Sequence, residues 1–118
     1  MTIFAISDAT TQALGRALDG LDARQRAIAS NIANLETPGY QAEVVRFEDA
    51  LRSAIRSGEP LSASIDSTRS LAPTRLNGNN VNLDMELMES SETVLLQRLV
   101  TQSLTSKYSM MRTAIQGR

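Results

Sequence analysis

The sequence predicts a mainly α-helical fold. Two long terminal helices form an antiparallel, coiled-coil-like hairpin, with a short helix and an irregular loop between them. A seven-residue repeat of apolar residues near the N-terminus is typical of a helix that packs lengthwise. A second apolar-rich stretch occupies the end of the chain, and aromatic residues make up only 3% of the 118 residues. Because aromatic side chains supply much of the buried area of compact cores, this composition favours long helices that bury aliphatic side chains.

Residues 1–36 are predicted to form the N-terminal helix, and their apolar periodicity is clearest between Ser7 and Leu35. The apolar residues follow one another at steps of 4, 3, 7, 4 and 3, and Gln25 occupies the one polar position of the repeat. Ser7 or Asp8 is a candidate cap for the start of the helix. We predict that the repeat is a seam for assembly, formed by Leu14, Leu18, Leu21, Ile28, Ile32 and Leu35.

Residues 37–81 are predicted to hold a turn, a short helix and a flexible segment. The turn Thr37-Pro38-Gly39-Tyr40 ends the first helix, because proline disfavours helical geometry at the residue before it. Pro38 and Gly39 suit the two central positions of a type II turn, in which the glycine takes a positive φ. Further along, helical spacing of apolar residues predicts a helix of three turns, carried by Phe47, Leu51, Ala54 and Ile55.

The segment from Pro60 to Asn80 is rich in Ser, Thr, Asn, Pro and Gly and offers few apolar residues. This composition predicts a long mobile loop, with one short strand as the alternative. Asn77-Gly78 is a turn signal within this loop.

Residues 82–118 are predicted to form the second long helix, with Asn82 as its N-cap. Acidic residues crowd its first turns and basic residues its last ones, which suits the helix macrodipole better than a metal or acid–base site. Between Val94 and Val100 the apolar residues cover more than one face, so this helix needs neighbours beyond one hairpin partner. Its predicted assembly residues are Val94, Leu95, Leu99, Leu104, Tyr108, Met111 and Ile115.

A bare hairpin of these two helices is expected to be marginally stable, because one apolar seam must offset the entropy lost when two long helices become ordered. The sequence therefore leads to the hypothesis that the terminal segments are disordered in the free monomer and fold on assembly. The pattern alone leaves two readings of the apolar stripe open, packing within one hairpin and packing between molecules.

The composition argues against catalysis and against nucleic-acid binding. The chain has no histidine and no cysteine, so it lacks the commonest general base, the commonest metal ligand and any thiol. Its formal net charge is −1, without the basic patch that nucleic-acid binding usually shows. The first residues lack the features of a Sec-type signal peptide, and no stretch has the length of a membrane span. We expect no cofactor, metal or small-molecule substrate.

Two neighbouring stretches resemble the signature that flagellar rod and hook proteins share at the end of their N-terminal helix. They are residues 30–34, Ser-Asn-Ile-Ala-Asn, and residues 37–40, Thr-Pro-Gly-Tyr. Residues 41–52, 79–86 and 105–117 are similar to the proximal rod proteins of this family, whose short middle segment this chain shares. We interpret the signature as a structural corner, formed by Asn31, Asn34, Thr37, Pro38, Gly39 and Tyr40.

The resemblance implies a structural component of the bacterial flagellar basal-body rod, in the proximal part of the axial drive shaft that transmits motor torque. Both terminal helices are then expected to form the coiled-coil inner domain of a helical tube. The implied partners are copies of the chain and other rod proteins, together with the MS ring, a rod-base adapter and the export gate. The implied route is type III export without a cleaved signal peptide, to a rod that crosses the periplasm.

A function of another class stays open at this point. A small helical adaptor or export chaperone would bind a partner helix through the same apolar stripes. Stoichiometry separates the two functions, because a chaperone forms a closed dimer or a one-to-one complex, whereas a rod subunit needs head-to-tail contacts that build a tube. A DNA-binding protein is a third alternative, which the near-neutral charge disfavours.

Overall fold

The computed structural model describes the backbone of residues 2–117 and the side chains of residues 9–117. The two long helices pack against each other along their length, so the predicted helical hairpin is confirmed. A short helix, a 3₁₀ turn and two short strands lie between them in sequence. In chain order the elements are α1 (Thr2–Ala33), β1 (Glu43–Arg46), α2 (Glu48–Arg56), the 3₁₀ turn (Pro60–Ser62), β2 (Asp66–Arg69) and α3 (Leu83–Gln116).

Helix α1 begins at Thr2, earlier than the predicted start near Ser7. The side chains of Ser7 and Asp8, which we predicted as caps, lie outside the described residues. Leu21 and Ile28, two members of the predicted seam, are each only 3% exposed. They are buried because α1 is the central element, with α3 on one side and β1, the 3₁₀ turn and α2 on the others.

The predicted turn after α1 is confirmed. The backbone N–H of Tyr40 donates to the carbonyl of Thr37 at 3.3 Å, and Gly39 has a φ of 74°. A β-branched residue resists this left-handed geometry, whereas glycine adopts it without a steric penalty. The Gly39 N–H also donates to the carbonyl of Asn77 at 2.8 Å, so the predicted Asn77-Gly78 turn packs directly against the first turn.

The prediction of a single irregular loop over residues 60–80 is wrong for its first half. Strand β2 pairs antiparallel with β1, and the register places Glu43 opposite Arg69 and Arg46 opposite Asp66. Opposite charges facing each other across two strands stabilise the pairing. The alternative of one short strand was therefore correct for β2, while β1 was not predicted. Every residue of β2 is exposed, so it lacks the alternating apolar pattern from which strands are recognised.

The compact part of the core lies where β1 and the start of α2 meet α1. It consists of Leu21, Ala27, Val45 and Phe47. The Phe47 ring lies directly over Gly20, and the Arg24 guanidinium lies 4.9 Å from the ring centroid on a cation–π contact. Arg24 also donates to the Val45 carbonyl and pairs with the carboxylate of Glu48. One aromatic ring thus joins three elements, and the close approach requires that residue 20 has no side chain.

Replacing Gly20 by alanine is expected to lower the free energy of unfolding by about 1–3 kcal/mol. The added Cβ would lie 2.5 Å from Cγ and Cδ1 of Phe47, and the ring cannot retreat without leaving the core. Urea unfolding followed by far-UV circular dichroism measures the change.

Gly15→Ala in the same helix is the matched control, because no atom lies within 4 Å of a Cβ at that position. Alanine in a helix interior is favoured over glycine, so this variant should gain up to about 1 kcal/mol. If both variants shifted the unfolding curve in the same direction by the same amount, the Gly20–Phe47 contact would be refuted.

Candidate assembly interface

Polar side chains set the register between α1 and α3. The Gln25 side-chain amide donates to the Ser90 hydroxyl at 2.8 Å, and the Asn31 side-chain amide donates to the Glu86 carboxylate at 3.1 Å. Later residues of α1 therefore meet earlier residues of α3, as an antiparallel hairpin requires. A polar pair inside a helical seam costs stability but fixes the alignment of the two helices. Gln25, the one polar position of the α1 repeat, therefore helps to fix the alignment of α1 with α3.

Asn31 is the most densely bonded side chain of the hairpin and is only 1% exposed. Its Nδ2 donates to the Glu43 carbonyl at 2.9 Å as well as to Glu86, and its Oδ1 accepts from the Glu43 N–H at 2.8 Å and from the Tyr40 hydroxyl at 3.0 Å. Both donors and both acceptor positions of the amide are therefore used. One side chain connects α1, the signature turn, β1 and α3.

Two further asparagines fix the chain just before α3. Asn79 is fully buried, and its Nδ2 donates to the carbonyls of Asn34 and Thr37, both at 2.8 Å. Asn80 accepts from the Ala42 N–H at 2.7 Å and donates to the carbonyls of Ser70 and Ala72. These amides replace the backbone partners that a regular sheet or helix would have supplied. The entry into α3 is thereby held to the end of α1.

The remaining signature residues also lie at this corner. The Asn34 Nδ2 donates to the Ser30 carbonyl at 2.8 Å, and its Oδ1 accepts from the Thr37 hydroxyl at 3.1 Å. Arg75 donates to the carbonyls of Leu35 and Val81, each at 2.6 Å, so a basic side chain satisfies a carbonyl just beyond the end of α1. The contacts of Asn79, Asn80 and Arg75 at this corner were not predicted, because asparagine and arginine in a loop carry no periodic signal.

Glu86 places a carboxyl group inside the hairpin, where it is only 9% exposed. Its Oε1 accepts from Asn31, while its Oε2 is buried without a partner among the described atoms. Burial raises the pKa of Glu86 above its ordinary value of 4.5; the nearby Glu89 charge raises it further, and the Asn31 hydrogen bond offsets part of the rise. The sequence predicts that this carboxylate complements the helix macrodipole, and the structure in addition buries it in the seam between α1 and α3.

Helix α3 turns a largely polar side toward α1. Asn82 caps the helix as predicted, accepting from the Met85 N–H at 3.2 Å. The buried and partly buried positions that follow recur at steps of 4 and 3, which is one face of a helix. They are Glu86, Ser90, Thr93, Gln97, Val100, Leu104, Lys107 and Met111, and Val94 beside Thr93 is also partly buried. The first half of this inner face is polar, and only the second half contains aliphatic side chains.

The outer side of α3 is rich in leucine and methionine. Leu95 is 59% exposed and Leu99 is 54% exposed, although both are large apolar residues in a well-formed helix. The other large apolar residues of α3 that are exposed are Leu83, Met85, Leu87, Met88, Leu96, Tyr108, Met110 and Ile115. Among them, Met88, Leu95 and Leu99 follow one another at steps of 7 and 4 and therefore form an exposed apolar stripe on one side of α3. An exposed apolar patch is typical of an interaction site.

The predicted assembly residues therefore fall into three groups. Leu21 and Ile28 are buried inside the chain. The partly buried ones are Leu14, Leu18, Ile32, Leu35, Val94, Leu104 and Met111, which lie along the hairpin. The exposed ones are Leu95, Leu99, Tyr108 and Ile115. The structure thus brings the α1 seam together with α3, and it leaves four predicted residues of α3 available to a partner.

A shallow apolar groove of about 450 Å³ continues this outer surface toward α2. Its walls are Leu21, Leu51, Ile55, Leu96 and Val100, and the Phe47 ring also lines it. Within the described part of the chain, no group of three or more acidic, histidine or cysteine residues is placed to hold a metal ion. None of the described helices has the length and apolarity to cross a membrane.

The comparisons with known proteins agree with the resemblance seen in the sequence. The family described as "Flagella basal body rod protein" matches residues 12–41, which are the later part of α1 and the signature turn. The chain is therefore similar to the class of flagellar basal-body rod proteins, through this match and through curated relatives that align with most of its length.

Within that class, the similar curated proteins bear one name, flagellar basal body rod protein FlgB. The protein from Bacillus subtilis is 28% identical over 121 aligned residues, which cover 92% of this chain and 94% of the relative. The protein from Escherichia coli is 25% identical, and the alignment covers 80% of this chain and 83% of the relative. The protein from Borreliella burgdorferi is 28% identical, with 73% of this chain and 80% of the relative covered. The predicted resemblance to flagellar basal-body rod proteins is confirmed.

Replacing Asn31 by alanine is expected to lower the free energy of unfolding by about 3–5 kcal/mol. The change leaves the Glu43 backbone and the Glu86 carboxylate without this buried partner, and it removes one of the two hydrogen-bond partners of the Tyr40 hydroxyl. Chemical unfolding measures the loss. Asn34→Ala is the control, because it removes an amide of the same size that bonds only within the corner, and it should cost about 1 kcal/mol. Equal losses for the two variants would argue against Asn31 as the central connection.

The stability of the hairpin should depend on pH through Glu86. The raised folded-state pKa means that this carboxyl stabilises the fold fully below the unfolded value, near 4.5, and that this stabilisation is lost as the pH rises through the folded value. Glu86→Gln removes the charge and keeps an acceptor for Asn31. Relative to the wild type, this variant should therefore gain stability on going from pH 4 to pH 7.

Thermal unfolding of both chains across this pH range measures the difference. A Glu86→Gln curve that runs parallel to the wild-type curve at every pH would mean that the buried carboxyl does not titrate with folding.

Proposed function

We propose that this chain is a structural subunit of the proximal flagellar rod and that it polymerises through its terminal helices to help build the axial drive shaft. Its similarity to rod proteins supports a structural role in the flagellar basal body. The steps beyond that role, polymerisation and the transmission of torque, are supported by the shape and surface of the molecule. An elongated hairpin of two long helices suits packing side by side in a tube.

The observation that carries the proposal is the orientation of α3. This helix directs polar residues such as Ser90 and Gln97 toward α1 and directs Leu95 and Leu99 outward. A monomer that folded for its own stability would bury the leucines and expose the polar residues. The reverse arrangement is expected of a subunit whose outer face is covered by neighbours in the assembled state.

The proposed partners are copies of this chain and other rod proteins, which the family supports. At the base of the rod we propose contacts with the MS ring, a rod-base adapter and the export gate. The proposed location is the rod segment that crosses the periplasm, reached through the flagellar export apparatus without cleavage of a signal peptide. We propose no catalytic activity, because a structural subunit of this class acts through its surfaces.

Replacing Leu95 by aspartate is expected to abolish incorporation into basal bodies and swimming in a strain that depends on this chain. A carboxylate on the outer face of α3 cannot be desolvated against an apolar neighbour without a large penalty. The measurement is the amount of the variant in purified basal bodies, together with motility in soft agar.

Leu61→Asp is the matched control, because Leu61 is 57% exposed against 59% for Leu95 and lies in the 3₁₀ turn. Far-UV circular dichroism should show that both purified variants keep the helical content of the wild type. Leu95→Asp subunits that enter basal bodies in normal amounts would remove the outer face of α3 from the assembly.

A further inference from the structure

The corner of the fold contains a chemically labile dipeptide, Asn77-Gly78. Asn77 is the one asparagine of the chain that a glycine follows. The other asparagines precede asparagine, isoleucine, leucine or valine, whose side chains obstruct attack on the asparagine amide by the next backbone nitrogen. Asn77 is also exposed, whereas Asn31, Asn79 and Asn80 are buried. Asn77 is therefore the asparagine whose amide is most open to reaction.

The fold requires the glycine of this dipeptide. Gly78 has a φ of 82°, a left-handed conformation that glycine adopts without a steric penalty. A Cβ at this position would also lie 3.2 Å from the Cα of Gly39, because the two turns of the corner pack against each other. Residue 78 therefore has no side chain that could shield the amide of Asn77, and the labile dipeptide is a consequence of how the corner is built.

Hydrogen bonds occupy both groups of the dipeptide that can react with each other. The Gly78 N–H donates to the carbonyl of Arg75 at 2.9 Å, and the side-chain oxygen of Asn77 accepts from the Asn79 N–H at 3.1 Å. The backbone carbonyl of Asn77 in addition accepts from the Gly39 N–H at 2.8 Å. While these bonds are intact, the Gly78 nitrogen keeps its proton and the Asn77 amide is not free to turn toward it.

We propose that Asn77 is a site of spontaneous deamidation and that the closed corner holds this reaction in check. When the corner opens, a hydroxide ion removes the Gly78 N–H proton, and the Gly78 nitrogen attacks Cγ of Asn77. The new C–N bond closes a succinimide ring, and the side-chain nitrogen leaves as ammonia. Water then opens the ring at either of its carbonyls, which gives aspartate or isoaspartate at position 77. The reaction needs only water and base, and it is independent of the proposed rod function.

The two products affect the corner differently. Aspartate keeps a side-chain oxygen that accepts from the Asn79 N–H, so the turn closes again with an added negative charge. In isoaspartate the main chain runs through the side chain of residue 77 and is longer by a carbon atom. The Gly39 N–H then no longer meets the carbonyl of residue 77, and the hydrogen bond from the Arg75 N–H to the Asn79 carbonyl, 2.8 Å in the native chain, loses its alignment. A chain that has stayed open for long thus acquires a corner that cannot close.

Arg75 is the side chain that ties this turn to both long helices. Its guanidinium donates to the carbonyls of Leu35 and Val81, each at 2.6 Å. Arg75→Ala removes these two bonds and leaves every backbone group of the turn in place. Because the reaction proceeds only from the open corner, its rate follows the population of that local opening, as amide hydrogen exchange does.

The test incubates the full chain at mildly alkaline pH and follows the peptide that contains residue 77 by mass spectrometry. Deamidation replaces an amino group by a hydroxyl, and this mass gain distinguishes it from ring formation at Asp19-Gly20, which leaves the final mass unchanged. In guanidinium chloride above the unfolding transition, the wild type should react at the rate of an open chain. In native buffer it should react at least about tenfold more slowly, as expected for an open state populated to about 10% or less.

Three variants locate the reaction and its control. Arg75→Ala should react about 3- to 10-fold faster than the wild type in native buffer, because it loses two hydrogen bonds that hold the corner closed. Arg52→Ala is the matched control, since it removes an exposed arginine of α2, and it should react as the wild type does. Asn77→Gln should show no mass gain in this peptide on the same timescale, because glutamine closes its larger ring much more slowly.

Equal rates for the wild type in native buffer and in guanidinium chloride would overturn protection by the corner. No mass gain in guanidinium chloride would overturn Asn77 as the site, and an Arg75→Ala rate equal to that of the wild type would overturn local opening as the control. If circular dichroism shows that Arg75→Ala does not fold, the wild type in guanidinium chloride below its transition replaces it. Its rate should then rise before the helices unfold, and a rate that stays at the native value up to the transition would contradict local opening.

Discussion

Buried side-chain amides hold this molecule together, because each must find hydrogen-bond partners once it leaves water. Asn31, Asn79 and Asn80 are nearly inaccessible to solvent, and their partners lie on different segments of the chain. A leucine in any of these places would make hydrophobic contacts, which do not depend on the direction of the neighbouring groups. An asparagine requires hydrogen-bond partners at fixed directions from its amide, so these residues define how the middle segment joins the two long helices.

The same requirement explains why the middle segment is ordered although it contains few apolar residues. The two-stranded sheet buries mainly Val45 on the α1 side, and every residue of β2 is exposed. The strand is kept in place at its end, where the Ser70 N–H donates to the Ala42 carbonyl at 2.7 Å and Asn80 bonds to both residues. Ladder hydrogen bonds and amide side chains thus substitute for a hydrophobic core in this region.

Periodicity predicted the parts of the fold that repeat. The heptad spacing located α1, the Pro38-Gly39 pair located the turn, and Asn82 located the start of α3. Strand β1 and the amide network were not predicted, because they depend on residues far apart in the sequence that have no common spacing. The burial of Glu86 was not predicted for a related reason. A carboxylate in the first turns of a helix has the same local sequence pattern whether it is solvated or buried.

The orientation of α3 shows a more general limit of prediction from periodicity. Its sequence contains two stripes at helical spacing, a mixed one with Ser90 and Gln97 and an apolar one with Leu95 and Leu99. Periodicity alone does not decide which stripe faces α1, although the favourable burial of leucine would suit the apolar one. The structure selects the mixed stripe, because the amide of Gln25 meets Ser90 and the amide of Asn31 meets Glu86.

With this orientation, the two sides of α3 have different roles. Directional polar pairs on the inner side fix the register within a subunit, at some cost in stability. Non-directional apolar side chains remain on the outer side, where contact with a neighbour tolerates small differences in angle and position. The proposed role as a subunit of an assembled shaft needs both properties, a rigid shape of each subunit and contacts that adjust to their neighbours. The polar seam thus leaves the leucines of α3 exposed on the outer side of the hairpin.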